Sequence, residues 1–551
     1  MKTIFTYKVA IALLAVVLLG LSATVTAQTN YYFYVQLKNK NNTTYSLSNP
    51  SAYLSQRSID RRTAFNVALD STDLPVNTAY IKQIENLGAH VHCASKWMNG
   101  VTVKLTDSTK MSQVRALPYV KSVQYTGLQV GALLTPSVKN NSKAAFNYGI
   151  AAGQINQLNG AQLHNEGYRG KGIQVAVIDA GFTNVNTNVC FDSLRLQGRL
   201  LGTKDVINPT SNIFSEDNHG AMVLSSMTGN MPGQYLGTAP DASYWLIRTE
   251  YSPTEYKVET DFWCSGIEFA DSVGVDIATS SLGYSTFDDS RMDFSYADMN
   301  GKVSRASRAA TIASQKGMVV LVAAGNEGDV TNSWHYISSP SDAEGIITVG
   351  SVTSTGTPSS FSSYGPSSDG RVKPEICATG SSSALVSTGG TLTYNSGTSF
   401  ATPIMAGMMA CLLQKYKSQN QYPSISTLIQ SVIKTGNHFN SPTAQMGYGI
   451  PDFKVAEQNL SVLNMLRQIY SSSFILAYNS GDKSISIDFV DISALKQSSV
   501  RIYSLTGELL LNQALTNLST RLNTENFSTG IYAVCVIENG KTETRKIIIS
   551  K

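Results

Sequence analysis

Three kinds of hydrophobic spacing follow one another along the chain. Residues 31–37 form an aromatic and β-branched run of the kind strands use, and 101–105 and 120–125 are further strand segments. Residues 53–64, 77–87 and 108–117 have helical character, and the charges of the first place it on the surface. Strands and helices mixed in this way suit a small α+β unit. From residue 154 the apolar runs become nearly continuous, with strand segments at 174–178, 243–247, 275–279, 318–323 and 346–349 and helical stretches at 221–228, 257–272 and 302–315. Strands apolar on both faces are buried on both faces, so this region is an α/β domain, a mostly parallel sheet covered by helices, with reactive groups gathered at the carboxyl ends of the strands. Past residue 455 the pattern shortens to alternating segments at 484–490, 500–505, 530–537 and 543–549, separated by Thr506-Gly507 and Asn539-Gly540 turns. That is the pattern of a small β-sandwich.

The stretches between these units divide the chain. Residues 129–147 lose periodicity and are rich in Ser, Asn and Lys, as an exposed linker is. At the start, Lys2 precedes an apolar run at 9–21 that ends in Ala23, Thr24, Val25, Thr26 and Ala27, the features of a secretory signal cleaved after Ala27. A membrane anchor is the weaker reading, because that run falls short of the roughly 20 residues a span needs. The organisation expected is a signal at 1–27, a first unit at 28–127, a linker at 128–153, the central domain at 154–455, a second linker at 456–472 and a C-terminal sandwich at 473–551. The product is read as exported and otherwise soluble.

Composition narrows the function. With 15% charged residues, a net charge of +4 and no long basic block, nucleic acid is not an expected partner. The six cysteines are spread over the chain, neither a dense disulfide framework nor a zinc pattern; export allows one or two bridges without specifying them. His90-Val91-His92-Cys93 alternates in a strand and has no second ligand cluster, so it is read as structural rather than metal-binding.

The chemistry centres on residues 395–407, Asn-Ser-Gly-Thr-Ser-Phe-Ala-Thr-Pro-Ile-Met-Ala-Gly, which put Ser399 where a turn becomes a helix. Gly397 permits close backbone approach, and Pro403 is compatible with a first helical turn, so Ser399 is expected beside unpaired amide donors. The bland reading is a Ser/Thr-rich turn capping a buried helix whose apolar run is Ile404, Met405, Met408, Met409, Leu412 and Leu413. The longer string Gly-Thr-Ser-x-Ala-Thr-Pro resembles the nucleophile motif of the subtilisin-like serine proteases, the subtilases. Such a nucleophile needs two partners upstream. Asp179 follows the strand segment 174–178, and His219 stands in Asp-Asn-His-Gly-Ala-Met-Val at the start of an apolar helix. The order Asp179, His219, Ser399 is that of subtilisin rather than of chymotrypsin-like enzymes or α/β-hydrolases, and no Gly-x-Ser-x-Gly elbow surrounds Ser399. One departure is Ala180, where the family usually has Thr or Ser, which removes a hydroxyl that would help orient the carboxylate.

The resemblance extends to Val-Leu-Val-Ala-Ala-Gly-Asn-Glu-Gly at 320–328, to 276–283 ending Thr-Ser-Ser-Leu-Gly, and to 360–375, and it covers roughly 154–452. It implies a secreted serine endopeptidase made as a zymogen, in which His219 takes the Ser399 proton, Asp179 orients the imidazole, and Asn326 with the Ser399 N–H holds the oxyanion of an acyl-transfer intermediate. Substrate backbone would pair along Ser281, Leu282 and Gly283, facing Ala324 and Gly325. Pocket segments 281–284, 323–325 and 336–339 hold no Asp or Glu, which disfavours a strict basic preference and points to apolar or uncharged residues before the cut. No cofactor is required; structural calcium is allowed by the resemblance, with Asp192, Asp205, Asp288, Asp289 and Asp293 as oxygen donors of no specific spacing.

The flanking units take their meaning from this reading. The first unit looks like a subtilase propeptide, a folding aid and temporary inhibitor. The end of the chain, with Val-Arg-Ile-Tyr-Ser-Leu-Thr-Gly at 500–507, Ser-Thr-Gly-Ile-Tyr at 528–532 and Lys-Ile-Ile-Ile-Ser-Lys at 546–551, resembles the sorting domain of type IX secretion cargo. Its alternative is an accessory module. The sorting reading implies export through the periplasm of a Gram-negative bacterium to the medium or cell surface, with the type IX machinery, the protein's own propeptide and peptide or protein substrates as partners. The competing functional class is a catalytically silent subtilase fold used for adhesion or binding.

Overall fold

The computed structural model describes residues 29–129, 148–419, 421–460, 474–479, 483–489, 498–517, 519–538 and 540–550; the signal and the linker residues 130–147 and 461–472 lie outside them. The first unit is an antiparallel sheet of β1 (Asn30–Leu37), β2 (His90–Ser95), β3 (Gly100–Leu105) and β4 (Val120–Gln129) in the order β2-β3-β1-β4. Helices α1 (Gln56–Ala64), α2 (Thr78–Asn86) and α3 (Met111–Arg115) accompany it. The alternation along β1 serves two cores. Val35 and Leu37 pack with Ile84, Val101 and Val114 inside the unit, while Tyr32 and Tyr34 join Trp97 and Met98 against the central domain.

The central domain is built on seven parallel strands: β5 (Gln174–Asp179), β6 (Leu200–Asp205), β7 (Ser243–Arg248), β8 (Ile277–Ser280), β9 (Val319–Ala323), β10 (Ile347–Val352) and β11 (Ile376–Thr379). Their order is β11-β10-β9-β8-β5-β7-β6. The apolar runs are continuous because each strand feeds both layers. Val175 and Val177 face α4 (His219–Thr228) and α7 (Thr398–Ser418), whereas Ala176 and Ile178 face α5 (Val258–Val273) and α6 (Arg305–Gln315). The core also takes in Ala151 at one end and Ala456 and Leu460 at the other, all fully buried.

The α1 helix is not the exposed helix its charges predict. Arg61 and Arg62 are 4% and 2% exposed, and both grip the fully buried Asp271 of α5, at 2.5 and 2.9 Å, while Lys96 reaches its other oxygen at 2.8 Å. Glu268, one turn earlier on α5, accepts from the backbone N–H groups of Lys96 and Trp97 at 2.7 and 3.1 Å. The charges of α1 are thus an interface, neutralised by the neighbouring domain. His92 is likewise structural: its Nε2 meets the Val206 carbonyl at 2.8 Å and its ring packs edge-on to Tyr32. All six cysteines are free, so the bridges that export would allow are absent.

The C-terminal unit is a sandwich of β12 (Phe474–Asn479), β13 (Ser484–Phe489) and β16 (Ser519–Asn523) against β14 (Ser499–Ser504), β15 (Leu509–Ala514), β17 (Gly530–Glu538) and β18 (Lys541–Ile549). Alternate residues such as Ile485, Ile487, Val500, Ile502, Val534 and Val536 fill its core. Among the described residues no helix is long and apolar enough to cross a membrane.

Candidate active site

Four neighbouring strands of the central sheet, β9, β8, β5 and β7, empty into one cleft, as the ends of parallel strands do. The β5 strand ends on Asp179, β8 runs on into Ser281, Leu282 and Gly283, and β9 into Gly325 and Asn326. Two helices complete the site from the other direction: α4 begins with His219 and α7 carries Ser399 in its first turn.

Asp179 is fully buried, and its Oδ1 lies 2.8 Å from His219 Nδ1 and accepts the Ala180 N–H at 2.8 Å. Its Oδ2 is buried with no partner among the described residues, and the next residue, Ala180, has no hydroxyl to offer it. Close packing of α4 on β5 depends on Gly220, where an added Cβ would sit 2.8 Å from Asp179 Cβ and 2.5 Å from the Gly181 carbonyl. Burial works against a charged His219, but the Asp179 carboxylate outweighs it and raises the imidazole to about 8.

Ser399 is 8% exposed, and its backbone is tied to Ser281. Pro403 lies inside α7 rather than in its first turn, so the usual i→i−4 bond to the Ser399 carbonyl is missing; the Ser281 hydroxyl donates to that carbonyl instead, at 2.8 Å. The Ser399 hydroxyl in turn points to the Ser281 carbonyl at 3.4 Å, its one hydrogen bond among the described residues. It and the His219 ring line the same cleft. Asn326 Oδ1 accepts from the Thr398 N–H and hydroxyl at 2.8 and 3.0 Å, which leaves Nδ2 as the group free to donate. The Ser399 N–H belongs to the first turn of α7, whose donors the helix cannot pair internally.

Among the residues predicted to bind substrate, Ser281, Leu282, Gly283 and Gly325 line the cleft, but Ala324 does not. It is fully buried with its N–H on the Val349 carbonyl, and Ala323 lines the cleft in its place. The cleft also corrects the expectation of an acid-free pocket, for Asp217, Glu250 and Glu327 line it too. Glu250 was not anticipated, although the rule that picked out Asp179 applies to it, since it lies two residues past the end of β7.

The aspartates considered for calcium do not converge. Asp192, Asp205 and Asp289 pair with Arg195, Arg248 and Arg291, while Asp288 and Asp293 accept the Glu255 and Phe287 N–H groups. The carboxylates that do converge among the described residues are Glu250, Glu255 and Glu259.

Comparison with known proteins agrees with this architecture. The Subtilase family profile matches residues 170–449, a Peptidase S8 propeptide domain of Bacteroidota matches 32–144, and a secretion system C-terminal sorting domain matches 482–550. Subtilisin NAT of Bacillus subtilis subsp. natto is 29% identical over 286 residues, 52% of this chain and 67% of that protein. Serine protease AprX of Bacillus subtilis (strain 168) is 32% identical over 277 residues, 45% of this chain and 58% of its own. The crystal structure of the epidermin leader peptide processing serine protease from Staphylococcus aureus shares the fold, with a TM-score of 0.51 at 16% identity over 78% of this chain and 98% of that one.

Proposed function

This chain belongs to the subtilase family and is a serine endopeptidase made with a propeptide, and on that premise we propose that Asp179, His219, Ser399 and Asn326 carry its catalysis. The observation that carries the assignment is the 2.8 Å contact between His219 Nδ1 and the buried Asp179, which leaves Nε2 as the nitrogen free for a proton in the cleft that also holds Ser399. In this mechanism Nε2 accepts the Ser399 proton as Oγ attacks the substrate carbonyl, Asp179 stabilises the imidazolium, and the imidazolium then protonates the leaving amine. Asn326 Nδ2 and the Ser399 N–H hold the oxyanion, and water resolves the acyl-enzyme by the reverse relay. The four residues need no metal or cofactor for these steps.

Substrate backbone pairs along Ser281, Leu282 and Gly283. The first unit is the propeptide, and maturation cuts within the linker 129–147 that follows it. The C-terminal sorting domain marks the protein for type IX secretion, to the medium or the cell surface, and is removed during export. If maturation is autocatalytic, purified Ser399→Ala zymogen keeps its propeptide, while the unmodified chain sheds it. Complete cleavage of the Ser399→Ala chain in a protease-free preparation contradicts the assignment.

A further inference from the structure

Apart from the His219 imidazole, the cleft is lined by acids without a matching cation. Asp217, Glu250 and Glu327 line it, and among the described residues neither Lys nor Arg does. Each carboxylate is held by neutral donors: Asp217 by the His219 N–H and the Ser252 hydroxyl at 2.7 and 2.8 Å, Glu327 by the Ser363 hydroxyl at 2.8 Å, and Glu250 by the Tyr284 hydroxyl at 3.2 Å. Asp217 has both oxygens engaged in this way. Glu250 differs in what stands behind it. Glu255 hydrogen-bonds to it and keeps one buried oxygen without a partner, and Glu259 is nearby with its own oxygens committed to the Tyr251 and Tyr256 N–H groups at 2.9 and 3.2 Å. Burial raises both Glu250 and Glu255, and of the two it is Glu250 that lines the cleft.

The propeptide shows which side of the cleft this is. Its last strand, β4, runs toward the linker past Tyr256, so close that a Cβ at Gly127 would lie 2.6 Å from the Tyr256 Cβ. The last described residues of the propeptide thus lie beside the loop of Glu255 and Tyr256, on the N-terminal side of the maturation cut proposed above. The strand edge at Ser281, Leu282 and Gly283 continues directly into Tyr284, whose hydroxyl holds Glu250. We propose that Glu250 is a specificity-determining acid of the substrate cleft, selecting a lysine or arginine side chain on the N-terminal side of the scissile bond. The proposal rests on the protease reading above. It replaces the preference for uncharged residues expected from the pocket segments alone, because the deciding acid comes from the loop after β7, outside those segments.

The test uses mature enzyme processed from the full chain, with active sites counted by fluorophosphonate titration. Fluorogenic peptides carry lysine or norleucine, alike in length but not in charge, at each of the four positions before the cut. The expected result is one position at which lysine raises kcat/KM by about tenfold or more, as a charge-assisted contact does, and at which glutamate falls below norleucine. In Glu250→Gln that lysine-to-norleucine ratio collapses to about one, whereas in Glu327→Gln it persists. Cleavage with no preference at any position, a ratio that survives Glu250→Gln, or a ratio lost in Glu327→Gln instead overturns the inference and leaves the protease reading standing. No cleavage of any peptide overturns both. The glutamate comparison is made on the unmodified enzyme, so it does not depend on how well a variant folds.

Discussion

Asn326 is held through its oxygen, which leaves its nitrogen for the proposed oxyanion role, so Asn326→Ala should remove that donor while leaving the ground-state contacts of substrate in place. The expected loss is about 10²–10³ in kcat with KM little changed, the range found when a subtilisin loses such a donor. The pH dependence follows from His219. Because Asp179 raises the imidazole to about 8, the basic form gains ground as pH rises, and kcat/KM climbs through a limb near that value. Asp179→Asn removes the charge that raises it. The limb should move toward the ordinary histidine value of about 6.5, and activity should drop on the order of 10⁴ as the tautomer is lost. A limb that stays near 8 in Asp179→Asn would show that another group titrates. At this scale most of the candidate site was legible, because Asp179, His219, Asn326 and Ser399 each sit in a local string with its own strand end or helix start. What was not legible was side-chain direction. Ala323 and Ala324 are indistinguishable as letters, and only the alternation at the end of β9 decides which faces the cleft.

Elements set the precision of these contacts. Pro403 interrupts the hydrogen-bond ladder of α7 and frees the Ser399 carbonyl, and Ser281 fills the gap from the neighbouring strand. Ser281→Ala leaves a buried carbonyl unsatisfied, which costs about 1–3 kcal/mol, measurable as a lower midpoint in urea. Between domains the corresponding element is α5. Asp271→Ala strands Arg61, Arg62 and Lys96 around a buried site, and the zymogen should lose about 3–5 kcal/mol. The same carboxylate is held well below its usual range, since its three cations outweigh burial. Its contribution is therefore full above about pH 4 and is lost as pH falls below that toward the depressed value. The unanticipated strands of the main sheet were its two edges: β6, whose Leu-Leu-Gly-Thr-Lys-Asp is only half-buried, and β11, four residues long. Edge and brief strands lack the long apolar run that marked the inner ones. The charges of α1 misled for a related reason, since a solvated face and a face waiting for a partner's carboxylate have the same composition.

At the scale of the whole molecule, three units divide the work of one secreted enzyme. The propeptide packs on α5 through buried charge and sets β4 beside Tyr256, the central domain supplies the chemistry, and the sandwich supplies the address for export. Hydrophobic periodicity, 2 in the flanking sheets and continuous in the middle, set these units apart without any knowledge of contacts; the charged part of the interface between the first two was invisible because Arg61, Arg62 and Lys96 read as a solvated face. All of this turns on one serine becoming nucleophilic beside one histidine. The measurement that bears on it most directly is reaction of the mature protein with a fluorophosphonate, followed by mass spectrometry of the labelled peptide. The account predicts stoichiometric label on Ser399, abolished in Ser399→Ala and strongly slowed in Asp179→Asn. Folded mature protein that takes up no label, or takes it up elsewhere while Ser399 stays free, would contradict it and leave a binding protein on a protease scaffold.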